Sequence, residues 1–381
     1  MASPTIPMRD ELVAERVLDH IARGTTDLGD EVWREPVAHY RSEERLQREL
    51  EVLRRFPMAF CPSAALPEVG SYVAREAAGV PIVAVRGRDR EVRAFRNVCR
   101  HRGMQVVKDA GCTKAFVCGY HGWTYGLDGR LRAVPHEHGF PGLDKSQHGL
   151  VPVHATERGG IVFVTMDEPL PGAALEDLPS LIEDDQQLIK STTRDTAANW
   201  KILLEGFIEG YHIRATHPES FLPYGFDNLN VVEIFGRHSR VTYPFQRIRK
   251  LADVPPAQRR LMGLVTYVYH IFPNALVTVL SSHTNLVVLD PLGLDITRTT
   301  NYTLTNGGTD PAQALTAAQR DADFVGNTGA QEDRAVVEAI QRGIASEAND
   351  VFTFGRFESA IVHFHKTLDA ALETASRVTA P

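Results

Sequence analysis

Cysteine is scarce in this chain, with four among 381 residues. Four cannot make a disulfide framework for a chain of this length, so those present are free thiols or ligands. Long apolar runs are missing. No stretch approaches the ~18 residues that cross a bilayer, and the longest, near Leu286-Val287-Val288-Leu289, is only of strand length. Basic charge is not in excess, because 41 Lys and Arg face 48 Asp and Glu for a net charge of −7. That excludes broad affinity for nucleic acid. The opening MASPTIPMRDELVAERVL carries early acids and no apolar core, so it does not read as a signal peptide. A cytoplasmic protein without membrane attachment is expected. Internal repeats and low-complexity tracts are absent, as is a Gly-rich dinucleotide loop following a strand. What remains is ordinary globular composition, 43% hydrophobic and 23% charged, in a chain long enough for two domains.

Two of the four cysteines fall in a pattern: Cys99-Arg100-His101, then Cys118-Gly119-Tyr120-His121-Gly122-Trp123. Thiolate and imidazole together suit iron or zinc. A structural zinc site usually pairs Cys with Cys and His with His. Here each short loop carries one of each. That division suits a 2Fe-2S cluster in which one iron takes both sulfurs and the other both imidazoles. Gly103, Gly119 and Gly122 allow tight loops, and Trp123 and Tyr125 supply an apolar cover. Cys61 and Cys112 read as free thiols.

The texture of the chain divides it. Residues 9–22 and 43–55 carry apolar residues at helical spacing. From Phe56 to about Thr165, short β-like runs alternate with Gly and Pro, marking a small all-β domain around the ligand loops. Pro169-Leu170-Pro171-Gly172 breaks the chain, and a helix is expected over 178–188. A long helix is expected from Asn199 to His212. Strands follow at 230–235, 240–243, 264–271, 275–280, 284–289 and 297–305, with helices at 311–325, 331–345 and 359–375. This predicts an α+β fold: an N-terminal helical segment (1–44) packing with the catalytic domain, a β domain (45–167), and an antiparallel sheet wrapped by helices (168–381).

A second metal site is suggested after Asn199. Trp200, Leu203, Leu204, Phe207, Ile208 and Tyr211 form one helical stripe, with Glu205, Glu209 and His212 opposite. That polar side reads as either solvated or functional. His217 lies five residues past His212, which no straight helix places on one face. Pro218 disfavours helix at His217, so the helix must end or distort for both rings to reach one ion. Asp333 stands on the apolar stripe of Val336, Val337, Ile340 and Ile344, either as a helix-start acid or as the carboxylate of a 2-His-1-carboxylate iron site. His136, His138, His363 and His365 have no ligand spacing.

Taken together, Cys99-x-His101, Cys118-x-x-His121, Asn199-Trp200-Lys201, the Glu-x-Tyr-His…His-Pro run from Glu209 to Pro218, and Glu332-Asp333 resemble the catalytic (α) subunit of the Rieske non-haem iron oxygenases. The resemblance implies a Rieske domain and a catalytic domain of helix-grip (START-like) type. It implies that Cys99, His101, Cys118 and His121 hold the 2Fe-2S cluster and that His212, His217 and Asp333 hold mononuclear Fe(II). Glu209 stands where the family places an electron-transfer bridge between subunits of a homotrimer, since the two metals of one chain are too far apart. NAD(P)H electrons are implied to arrive through a separate flavin and iron–sulfur reductase, with or without a ferredoxin. Two departures stand out. The bridging acid is Glu209 rather than the more familiar Asp, as in members acting on quaternary ammonium compounds. Gly206 replaces the Asn of the ring dioxygenases, which favours a monooxygenase. Candidate pocket residues are Phe207, Tyr211, Phe221 and Phe235, with Tyr224, Phe226 and Tyr267. Their apolar character suits hydroxylation or oxidative dealkylation of an aromatic or other hydrophobic small molecule, the alternative being a quaternary ammonium compound held by cation–π contact. A Rieske electron carrier fused to a ligand-binding domain is the competing reading from another class.

Overall fold

The computed structural model describes residues 7–307 and 310–379, which form two compact units. The larger comprises residues up to Val52, Ala174–Pro179 and Asp185 onward; the smaller comprises Leu53–Ala173 and Ser180–Asp184. The larger unit opens with helix α1 (Asp10–Arg23), strand β1 (Trp33–Pro36), and helices α2 (Ala38–Arg41) and α3 (Glu43–Arg55), the last running into the smaller unit.

The smaller unit is all-β. Strands β2 (Met58–Pro62), β3 (Ser71–Ala77), β4 (Val80–Arg86), β5 (Val92–Arg96), β6 (Ala110–Cys112), β7 (Phe116–Val117), β8 (Thr124–Tyr125), β9 (Leu131–Ala133), β10 (Pro152–Arg158) and β11 (Ile161–Thr165) make two sheets. The first runs β2-β11-β10-β5-β4-β3-β6 and the second β7-β8-β9. Val83, Val85, Phe95, Phe116, Trp123 and Tyr125 form its core, with Cys99 and Cys118 among them. The helix expected over 178–188 does not form. Pro179 cannot donate to a helical ladder. The N–H groups of Leu181 and Ile182 instead bond to Gly159 O in the β10–β11 turn, and burial of both side chains fixes an extended path.

The larger unit resumes with β12 (Leu188–Thr196), α4 (Trp200–Phe207), α5 (Ile213–Thr216), β13 (Val231–Phe235), β14 (His238–Pro244), β15 (Val265–Ile271), β16 (Ala275–Val279), β17 (His283–Pro291) and β18 (Thr297–Thr305). It closes with α6 (Pro311–Asn327), α7 (Gly329–Ile344), β19 (Val351–Phe354) and α8 (Ser359–Thr379). Its antiparallel sheet runs β12-β18-β17-β16-β15-β14-β13. Strand β12 escaped the sequence reading because six of its nine residues are exposed, leaving no apolar alternation to detect.

Side chains alternate between sheet faces, so register assigns them. Tyr243 on β14 reaches α4: its hydroxyl donates to the Phe207 and Glu209 carbonyls at 2.9 and 3.1 Å. Ser239, four residues earlier, shares that face with its partner His270. The His270 ring lies 5.3 Å from Phe364 of α8, which in turn lies 5.6 Å from Trp200 of α4. One sheet face therefore carries α4 and α8. The other carries α1, where Tyr267 donates to Asp10.

The long helix expected from Asn199 stops at Phe207. Asn199 caps it, its side chain accepting from Lys201 N at 3.0 Å. Tyr243 occupies the carbonyls of Phe207 and Glu209, and Gly206 and Gly210 weaken helix preference there. A Cβ on Gly210 would stand 2.5 Å from Asn230, so the segment folds tightly against the sheet. The break alters the face assignment. Glu205 does not share a solvated side with Glu209. It is buried, accepting from Tyr40 at 2.7 Å and facing His365 Nε2 at 2.9 Å.

Candidate metal centres

In the smaller unit, Cys99 and Cys118 begin two loops with the same backbone closure. Cys99 N donates to Met104 O and Gly103 N to Cys99 O; Cys118 N donates to Trp123 O and Gly122 N to Cys118 O. Gly103 and Gly122 sit at φ +80° and +72°, where a side chain is strained. The loops differ in where the imidazole falls, two residues after Cys99 and three after Cys118. Both sulfurs are buried, His101 is half-buried and His121 exposed, with the two rings 4.6 Å apart. Trp123 stacks on His101 at 5.0 Å. The Tyr125 hydroxyl accepts from Arg100 N at 3.0 Å and lies 3.2 Å from Cys99 Sγ. Its one proton is thus available to the sulfur, and burial with this contact pushes the phenol well above its ordinary range. Two buried sulfurs and two adjacent imidazoles fit a 2Fe-2S cluster with mixed ligation.

In the larger unit, ligand-type atoms of His212, His217 and Asp333 lie within 4.8 Å of one another. They come from the turn before α5, the end of α5, and the first turns of α7. Asp333 Oδ1 stands 2.9 Å from His217 Nε2 and 3.7 Å from His212 Nε2. His217 Nε2 is fully buried and, although Asp333 Oδ1 stands 2.9 Å away, makes no well-directed hydrogen bond among the described residues, and such an atom is costly unless something binds it. Both Nδ1 atoms are taken, His212 by Glu209 and His217 by Glu332 at 2.7 Å. Each ring is thereby oriented with Nε2 toward Asp333, the arrangement that directs imidazoles at a metal. A 2-His-1-carboxylate donor set with its free nitrogens convergent fits non-haem Fe(II).

Electrostatics follow from this packing. Burial pulls His217 down, but Asp333 and Glu332 outweigh it and raise the ring above its ordinary value. Ser220 and His217 lower Glu332. Burial, reinforced by the charges of Glu209 and Glu205, pushes Glu358 up to about 7. Glu209 also accepts from the N–H groups of Tyr211 and His212.

Sequence reasoning missed Ser220, Tyr243 and Glu358, and gave Glu332 no separate role. The adjacent acids Glu332-Asp333 were the one available signal. Among the pocket candidates, Phe221 packs 4.6 Å from the His217 ring. Gly329 makes room for it, since a Cβ there would meet Phe221 at 2.1 Å. Phe207 ends α4, half-buried, and Tyr211 is 59% exposed against Phe357. Phe235 does not join the site. It pairs with His238, an odd number of residues from Tyr243, and so points to the opposite sheet face. Tyr267 pairs with Thr242 and lies on that face too. Tyr224 is exposed, edge-on to Phe324, and Phe226 packs with the α1 cluster.

Residues 184–374 match the family model described as ring hydroxylating alpha subunit (catalytic domain), and residues 56–149 match that of the Rieske 2Fe-2S domain. The chain is 29% identical to the carnitine monooxygenase oxygenase subunit of Escherichia coli (strain K12), over 89% of this chain and 93% of that one. It is 29% identical to the glycine betaine monooxygenase oxygenase subunit of Chromohalobacter salexigens, over 78% and 76%. Its fold is similar to the crystal structure of the quaternary ammonium Rieske monooxygenase CntA, with a TM-score of 0.76, 22% identity, and coverage of 96% and 99%.

Proposed function

This chain belongs to the ring hydroxylating alpha subunit family of Rieske oxygenases, and from that premise we propose that it is a monooxygenase component acting on a quaternary ammonium compound. The class carries a Rieske 2Fe-2S cluster and a mononuclear iron and draws its electrons from a separate reductase. When bound, the iron supplies O₂ binding and the cluster supplies an electron.

The observation that carries the substrate reading is charge. Glu209, Glu332, Asp333 and Glu358 gather around two imidazoles, and none of the four is paired with Lys or Arg among the described residues. One divalent ion and neutral rings leave such a site net negative, which favours a permanent cation over a neutral arene. Phe221 beside His217 offers an aromatic face for it. The similarity to carnitine and glycine betaine monooxygenase subunits supports the same choice, so the quaternary ammonium alternative displaces the aromatic substrate expected from composition.

The proposed ligands are Cys99, His101, Cys118 and His121 for the cluster, and His212, His217 and Asp333 for iron. Glu209 is the proposed bridge, orienting His212 in one copy and receiving His121 of the next in a homotrimer. Co-assembling Cys118→Ser chains with Asp333→Ala chains tests that path, because mixed trimers regain turnover only if electrons cross between copies.

The substrate test is a screen with a surrogate reductase, scoring oxygenated product against released peroxide. Carnitine, glycine betaine and choline are compared with toluene and indole. Coupled turnover confined to the cations is expected; coupled turnover confined to the arenes would overturn the reading.

A further inference from the structure

Behind the carboxylates of the iron site lies a buried polar chain that no ligand role uses. Glu35 on β1 is fully buried, its carboxylate accepting from Trp33 Nε1 at 2.9 Å and facing His39 Nδ1 at 2.6 Å. His365 on α8 is also fully buried. Its Nδ1 stands 3.4 Å from Glu35 Oε1 and its Nε2 2.9 Å from Glu205 Oε1. Tyr40 on α2 donates to that same Glu205 oxygen and lies 3.3 Å from His365 Nε2. His39, at the outer end, is 29% exposed. At the inner end, Glu205 on α4 stands four residues before Glu209, whose carboxylate takes His212 Nδ1.

We propose that Glu35, His365 and Glu205 form a proton relay from solvent at His39 to the carboxylates around the iron site. It rests on the oxygenase reading above. Monooxygenation converts RH, O₂, two electrons and two protons into ROH and water. The reductase supplies the electrons, one oxygen atom enters the C–H bond, and the two protons leave in water. Those two protons have to be delivered to the site.

The geometry suits the task. An imidazole accepts a proton at one nitrogen and releases one from the other, and His365 faces a carboxylate oxygen from each. A proton passes from His39 Nδ1 to Glu35, from Glu35 to His365 Nδ1, and from His365 Nε2 to Glu205. The 3.4 Å step is the longest and lies outside hydrogen-bond geometry, so Nδ1 has no hydrogen-bond partner. Proton transfer there requires the ring to close that gap. The groups facing His365 are Glu35 from β1, Tyr40 from α2 and Glu205 from α4, with Phe354 and Phe364 as its aromatic neighbours. A core needing only volume there would fill it with apolar side chains.

The test uses the iron-loaded holoenzyme with Glu35→Gln, His365→Gln and Glu205→Gln. Each is expected to retain iron and the visible spectrum. Coupled turnover falls about 100-fold, the range of a lost proton-transfer group. Released peroxide rises, the solvent deuterium isotope effect increases, and added imidazole restores rate in His365→Gln. An unchanged pH profile and isotope effect in His365→Gln would overturn the relay, as would a rate loss that imidazole does not relieve and that tracks only a lowered melting temperature. Infrared difference spectra across a pH titration of the holoenzyme decide independently of turnover. Coupled Glu35 and Glu205 carboxyl bands that separate in His365→Gln support the relay, and bands that titrate identically with and without His365 exclude it. Failure of the wild-type chain to oxygenate any cation refutes the substrate reading and leaves the infrared result to stand alone.

Discussion

Replacing Glu332 with Gln should weaken iron binding while leaving all three protein ligands in place. Glu332 Oε2 takes His217 Nδ1 at 2.7 Å and the Ser220 hydroxyl at 2.6 Å. This contact fixes the proton on Nδ1, leaves the Nε2 lone pair for the metal, and increases the basicity of the ring. An amide keeps the shape and removes the anion. Losing such a support costs about 10- to 100-fold in metal affinity, or ~1.4–2.7 kcal/mol. The Glu332 side chain is 35% exposed, so water screens part of its field, and the lower end, about 10- to 30-fold, is expected. The assay is anaerobic Fe(II) titration of the apoprotein against a competing chelator. Ser220→Ala leaves the carboxylate in place and removes only one of its donors, so it should cost about threefold or less in iron affinity. Unchanged affinity in Glu332→Gln, or a larger loss in Ser220→Ala, would refute the reasoning.

Other outcomes follow from the same packing. Tyr125→Phe removes a hydrogen bond to Cys99 Sγ that stabilises the more negative reduced cluster. The Rieske potential should fall by some tens of millivolts in a redox titration, and an unmoved midpoint would discount the contact. Lys201→Met strips Glu49 of a buried partner bonded at 2.9 Å to both carboxylate oxygens. Arg45 remains at 3.0 Å, so the loss should be about 3 kcal/mol, the low end for a broken buried pair, read from denaturation of the larger unit. In apoprotein the raised His217 stabilises the fold below its ordinary ~6.5, and this contribution is lost as pH rises through the higher folded value. Iron displaces that proton, so the melting-temperature gain from Fe(II) should widen with rising pH; a constant gain would contradict the assignment.

Much of the site was legible because metal ligation demands particular residue types at particular spacings. Cys99, His101, Cys118 and His121 are too specific a set to arise from packing alone, and His217-Pro218 announces a broken helix. The position of that break was not legible. It depends on Tyr243, which reaches from a strand more than thirty residues away to occupy helix carbonyls, and periodicity cannot register such a contact. Glu205 illustrates the same limit. Local pattern placed it on a polar side with Glu209, whereas Tyr40 and His365, distant in sequence, draw it into the interior. Phe235 was misassigned because composition reports aromatic content, while face depends on strand register.

The most direct measurement is iron speciation by Mössbauer spectroscopy in the wild-type chain and in Asp333→Ala. About three irons per chain are predicted, two in the cluster and one high-spin Fe(II). Asp333→Ala should lose only the last while the visible spectrum of the cluster persists. Two irons in the wild-type chain, or loss of the cluster spectrum in Asp333→Ala, would contradict a mononuclear centre held by His212, His217 and Asp333.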